Sequence, residues 1–145
     1  VAPAIVVGLD SSGIATEVLA KACALARHEG AVLHVVRAVT AGLELPAEAL
    51  PLVPADFERR VLEASQRALE HFVQPGAHER VASMEARIGV PWQVICDVAK
   101  ERDAALVVVG AHAYKALDRI LGTTAAKVVN HAPCSVYVVR PRPSA

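Results

Sequence analysis

Ala104-Ala105-Leu106-Val107-Val108-Val109-Gly110 is a short, unbroken apolar run that closes on a glycine. A strand buried on both faces reads this way, because helices packed on either side of a parallel sheet leave no wet position along it. Ala4-Ile5-Val6-Val7-Gly8-Leu9 has the same character, ends at Asp10 and runs into Ser11, Ser12 and Gly13, residues with turn and N-cap chemistry. Ile14, Val18, Ala22 and Leu25 then recur at helical spacing, Gly30 stops the helix, and Val32-Leu33-His34-Val35-Val36 is a second buried strand. Strand, helix and strand in close succession form a βαβ unit, so the strands pair in parallel.

Between residues 40 and 55 the pattern dissolves into a segment punctuated by Pro46, Pro51 and Pro54, yet kept apolar by Leu43, Leu45, Leu50, Leu52 and Val53. A lid, a packed loop or an interface segment is expected, with a surface excursion tucked under its own leucines as the plainest form. Asp56 can cap the next helix, whose face is Phe57, Val61, Ala64, Ala68 and Phe72, and Pro75-Gly76 ends it. Ala82, Met84, Ala86 and Ile88 alternate with polar residues, the period of an edge strand with one wet face. Pro91 suits the first position of a third helix striped by Trp92, Ile95, Val98 and Ala99. A fourth helix over residues 123–130 precedes the last strand, Val136-Tyr137-Val138-Val139.

The order β-α-β-loop-α-β-α-β-α-β, five strands and four helices, predicts one α/β domain over residues 1–145 with a five-stranded parallel, doubly wound, Rossmann-like sheet. Ligands of such sheets sit beyond the carboxyl ends of the strands, where strand order reverses. The segments to search are therefore 8–13, 35–40 and 110–124.

Composition narrows the function classes. Fifteen basic and fifteen acidic residues balance, so a nucleic-acid partner held by bulk charge is not expected. Cys23, Cys96 and Cys134 are three and far apart, which does not make a disulfide framework. No apolar run is long enough for a bilayer, and no charged segment followed by a cleavable apolar stretch opens the sequence; no membrane partner and a cytoplasmic address are expected.

Gly110-Ala111-His112-Ala113 follows a buried strand, and Gly122-Thr123-Thr124 opens a helix. Unpaired amides and about half a positive charge at a helix N-terminus attract phosphate, and the two threonines add hydroxyls. The same residues also suit a plain cap, Thr123 or Thr124 over a turn served by Gly122. Asp10, on the same rim, can bond ribose hydroxyls, hold Mg²⁺ through water, or cap the first helix.

Residues 107–140, VVVGAHAYKALDRILGTTAAKVVNHAPCSVYVVR, resemble the closing motif of universal stress proteins, and the opening IVVGLDSS and the LHVV of the second strand resemble the same family. The resemblance implies a cytoplasmic, dimeric stress sensor or regulator that binds ATP or another adenine nucleotide, with Mg²⁺ as an optional companion. By it, Gly8 and Asp10 lie on the ribose side, Val35 offers backbone groups to adenine, Val109 and Gly110 line base and sugar, and Ala113, Gly122, Thr123 and Thr124 form the phosphate loop. Homodimerisation is expected through the last strand. Members that bind ATP carry Gly-x-x-Gly, nine residues, then Gly and Ser or Thr; here Ala113 stands at the second glycine and eight residues precede Gly122. The alternative that follows is a nucleotide-free dimeric interaction module that has lost phosphate binding.

Other chemistries lack their residues. There is no G-x-x-x-x-G-K-[ST] loop and no G-x-G-x-x-G after the first strand. A phosphate-transfer receiver needs clustered acids beside Asp10 and an aspartate where Ile88 stands. The six histidines form no metal-ligand pattern, and His34, inside a strand, is expected to be a satisfied core imidazole. Lys127 and Arg119 are candidates to neutralise phosphate. No residue has the setting of a dedicated general base, so slow hydrolysis at most is expected, and enzyme status stays open.

Overall fold

The structure, a computed structural model, describes residues 2–73, 80–111 and 121–141. Five strands, β1 (Ala4–Gly8), β2 (Val32–Val39), β3 (Val81–Ile88), β4 (Leu106–Gly110) and β5 (Ser135–Val139), form one sheet in the order β3-β2-β1-β4-β5. Every pairing is parallel. The chain first winds from β1 outward to β3, then returns to β4 on the other side of β1. Strand order therefore reverses between β1 and β4.

Helices α1 (Ala15–Glu29) and α2 (Phe57–Val73) cover one face; α3 (Pro91–Glu101) and α4 (Thr123–His131) cover the other. Alternation along the strands divides the core accordingly. Ile5, Val7, Leu33, Val35 and Val108 pack beneath α1 and α2, whereas Val6, Val36, Val107 and Val109 pack beneath α3 and α4 with Val94, Ile95 and Val128. The doubly wound, Rossmann-like sheet expected from the sequence is the one observed.

Local differences have physical reasons. α1 begins at Ala15, not at the serines, with Ile14 at the N-cap and no side-chain capping bond; Ser11 and Ser12 lie in the turn before it. β2 runs to Val39, three residues beyond the apolar run, because β3 pairs with Arg37, Ala38 and Val39. The 40–55 segment winds into two short 3-10 turns, Ala41–Glu44 and Ala47–Leu52. Leu52 is 84% exposed and Leu50 53%, so the segment is not tucked under those leucines.

β3 is an edge strand, as its alternation suggested, and its outer edge is closed by a side chain. Gln66 on α2 donates from Nε2 to the Met84 carbonyl (2.9 Å) and accepts at Oε1 from the Ala86 amide (2.6 Å), standing in for one residue of a sixth strand. Open strand edges invite pairing with other chains, and this contact removes part of that hazard. Gln66→Ala strips two part-buried backbone groups of their partners and is expected to cost about 1–3 kcal/mol. A lower urea midpoint at unchanged slope is the readout.

Candidate functional site

β1 leaves the sheet early. Its last residue in register with β2 is Gly8, opposite Val36, and one more ladder bond follows, from the Leu9 amide to the Val36 carbonyl (2.9 Å). β2 continues for three residues past that point. The step between the two strands opens a cleft of about 180 Å³ at the carboxyl rim, where strand order reverses.

Gly8, Val36, Ala38 and Val109 form its floor, Pro91 and Ile95 of α3 form a wall, and Leu9, Asp10, Gly110 and Thr124 stand at its rim. The lining is mostly apolar, with a carboxylate on one side and a helix N-terminus on the other. Absence of a side chain at Gly8 keeps it open: a Cβ there would lie 2.6 Å from Ile95 Cδ1 and 3.0 Å from Ile95 Cγ1. Gly110 serves the opposite face, since its Cβ would meet Val18 Cγ2 at 3.0 Å and Ile14 Cδ1 at 3.3 Å, under α1.

Asp10 accepts the Ser12 amide at Oδ1 (2.8 Å), closing the turn that leads to α1. Its carboxylate thus organises the corner, and Asp10 stands at the rim of the cleft. At α4 the N-cap is Gly122, with φ −61° and ψ 163°, a conformation open to any residue. The turn itself does not demand glycine, and neither Thr123 nor Thr124 is the cap, because they are the first two helical residues. The first bond of the helix runs from the Ala126 amide to the Gly122 carbonyl, which leaves the earlier amides without intrahelical acceptors. Thr124 brings this end of the helix to the cleft.

Gly8, Asp10, Val109, Gly110 and Thr124 are therefore brought together, with Gly122 and Thr123 next to Thr124 in the chain. Val35 is not among the lining residues: it lies mid-strand on the α1 and α2 face, buried. Val36 and Ala38 line the cleft, because the alternation of the strand turns them to the α3 and α4 face and Val35 to the other. Ala113 lies outside the described residues, as do His112, Lys115, Asp118 and Arg119. Lys127 is held elsewhere, with Nζ 5.6 Å from the centre of the Trp92 ring, which also stacks on His131 at 4.6 Å. In the sequence Pro91 and Ile95 have only helix signatures; the signal for their place in the lining is that α3 starts at the same rim.

The remaining chemistry is quiet. His34 Nδ1 lies 2.7 Å from Ser83 Oγ, and burial, reinforced by the Arg102 charge, holds its pKa below the ordinary imidazole value. Burial pushes the thiols of Cys23, Cys96 and Cys134 up, away from reactive thiolates at neutral pH. Among the described residues no group of three or more His, Cys, Asp or Glu is placed to hold a metal ion, and no helix is long and apolar enough to cross a membrane.

The model of the universal stress protein family matches residues 3–140. The chain belongs to the universal stress protein family. It is similar to universal stress protein Sll1388 of Synechocystis sp., at 31% identity over 94% of this chain and 96% of the other. Among solved structures, universal stress protein UspA from Lactobacillus plantarum superposes with a TM-score of 0.72 at 27% identity, covering 95% of this chain and 97% of that one. A universal stress protein solved in complex with cAMP shares the fold, with a TM-score of 0.60, 24% identity and coverage of 95% and 96%. Nucleotide binding thus occurs among proteins of this fold.

Proposed function

We propose that this chain binds an adenine nucleotide, ATP, ADP or AMP, in the cleft at the carboxyl ends of β2, β1 and β4, as a stress-response sensor or regulator that turns it over slowly at most. The observation that carries this reading is the pairing of the Asp10 carboxylate with the N-terminus of α4 across an apolar cleft at the strand-order reversal. Gly8, Val36, Ala38 and Val109 would floor the base, Asp10 would meet the ribose, and Gly122, Thr123, Thr124 and Ala113 would face phosphate. Occupation of a related protein by cAMP supports the class of ligand. A single carboxylate in the lining suits Mg²⁺ held chiefly by phosphate and water, which is how that ion usually binds. The cytoplasm is the proposed location, and the 145 residues are proposed to be one domain.

Calorimetry with each of the three nucleotides tests the reading: saturable heat is expected, and silence at millimolar nucleotide rejects it. Silence would favour the nucleotide-free interaction module, for which Ala113 and the eight-residue spacing before Gly122 speak.

We also propose a homodimer through β5. That strand is an edge, its side chains at Val136 and Val138 are half-buried, and a groove of about 550 Å³ runs beside it under Glu17, Lys21 and Arg140. The opposite edge of the sheet is plugged by Gln66. The Val139 carbonyl accepts from the Ala111 amide on the β4 side (2.8 Å), so the neighbouring Val138 amide points to the open edge, and Val138→Pro would remove one donor from it. Sedimentation is expected to show a dimer for the parent chain and monomer for the variant, and a monomeric parent at high concentration rejects the dimer.

A further inference from the structure

Arg37 follows Val36, the last residue of β2 in register with β1, and it is the point at which the apolar run of β2 is broken by charge. Its Nη2 donates to the carbonyl oxygen of Asp10 at 3.3 Å. Its Nε is buried and has no hydrogen-bond partner among the described residues. Among the described side chains no carboxylate pairs with it. A guanidinium partly removed from water without a counter-charge is unfavourable, and a buried donor left unmade calls for a reason.

The reason is visible in where the hydrogen bond goes. Beyond the Leu9 amide, β1 no longer pairs with β2, and the chain turns at Asp10. The planar guanidinium, with several donors fixed in one fork, reaches across that gap and grips the peptide carbonyl. Among the described residues Asp10 is held at both its carbonyl, by Arg37, and its carboxylate oxygen Oδ1, by the Ser12 amide. Fixing both the peptide plane and one carboxylate oxygen fixes the orientation of the Asp10 side chain at the rim of the cleft.

We infer that Arg37 is a positioning residue, which presents the Asp10 carboxylate to the ribose hydroxyls of the bound nucleotide. This rests on the nucleotide reading above. Arg37 is absent from the cleft lining, so it acts through Asp10 and not by touching ligand.

The test compares the full chain with Arg37→Met, Arg37→Lys and Asp10→Asn, titrated with ATP and with 2′,3′-dideoxy-ATP, which lacks the hydroxyls that Asp10 would accept from. Arg37→Met is expected to weaken ATP about tenfold, the scale of one hydrogen bond to a charged group, and to leave the dideoxy analogue unchanged. Arg37→Lys, which keeps charge and stem, should recover part of the loss, and in the Asp10→Asn background Arg37→Met should change nothing further. Equal weakening of both ligands, or none, overturns the inference. A readout without ligand separates it from the nucleotide reading: hydrogen exchange at the Ser12 amide should be about tenfold faster in Arg37→Met as the Asp10 corner loosens. Unchanged exchange overturns the inference even where ATP binds, whereas faster exchange in a chain that binds no ATP refutes the nucleotide and upholds the brace. Arg37→Lys carries the exchange comparison if the methionine variant does not fold.

Discussion

Gly8→Val is expected to abolish adenine-nucleotide binding. The new Cβ would start 2.6 Å from Ile95 Cδ1, so Ile95 and the valine methyls must both move, and the open direction is the cleft that Ile95 and Gly8 line. The base would then lose its seat. If an aromatic ring of about 150 Å² is denied burial at about 25 cal/mol/Å², the loss is about 3–4 kcal/mol, or two to three decades in Kd. Stability should fall as well, by about 1–3 kcal/mol for overpacking. Gly110→Ala is the control. Its Cβ meets Val18 and Ile14 on the other face, so a comparable loss of stability should come with unchanged affinity. Calorimetry and thermal unfolding of the two variants, side by side, test whether the cleft or merely the sheet is what a nucleotide needs.

The contrast between these two glycines marks what could be read from sequence. Both end apolar runs, both were expected near a ligand, and nothing in their neighbours says which face each opens. That depends on strand register and on which helix lies above, relations that only the assembled sheet fixes. The runs themselves were legible because a strand buried on both faces has no polar positions to confuse with a helix, and so β1 and β4 could be placed almost to the residue. β2 was cut short at Val36 because Arg37 looks like an end to a buried strand, although pairing with β3 carries the strand on to Val39. Val35, which the family resemblance sets beside adenine, lies on the opposite face of the strand from Val36 and Ala38, which line the cleft on either side of Arg37, the residue that grips Asp10. Helix starts were harder still: Ser12 and Thr123 are good caps by chemistry, yet Ile14 and Gly122 take those positions, and at α1 the turn closed by Asp10 on the Ser12 amide decides where helical dihedrals begin. Leu50 and Leu52 misled for a different reason, because hydrophobicity in a segment that carries three prolines does not say whether it has anything to pack against.

Gly89→Ala is expected to be the most destabilising of the single substitutions considered, at about 2–5 kcal/mol. Gly89 connects β3 to α3 with φ +155° and its amide on the Val39 carbonyl (3.0 Å). A side chain disfavours positive φ by about 1–2 kcal/mol, and the Cβ would lie 2.7 Å from Val94 Cγ2, a buried methyl with little room to yield, which adds about 1–3 kcal/mol of overpacking. For a chain of this size such a loss lowers Tm by on the order of 10 °C. The two causes are separable. In a Val94→Ala background the clash disappears while the dihedral cost remains, so the double variant should be more stable than the sum of the singles by about 1–2 kcal/mol. Strict additivity would mean that backbone strain alone is responsible. Pro91, which walls the cleft, lies two residues beyond Gly89. Nucleotide affinity is therefore expected to fall in Gly89→Ala and to recover in the double variant, where the clash is gone, because the turn that Gly89 permits is also what seats α3 against the site.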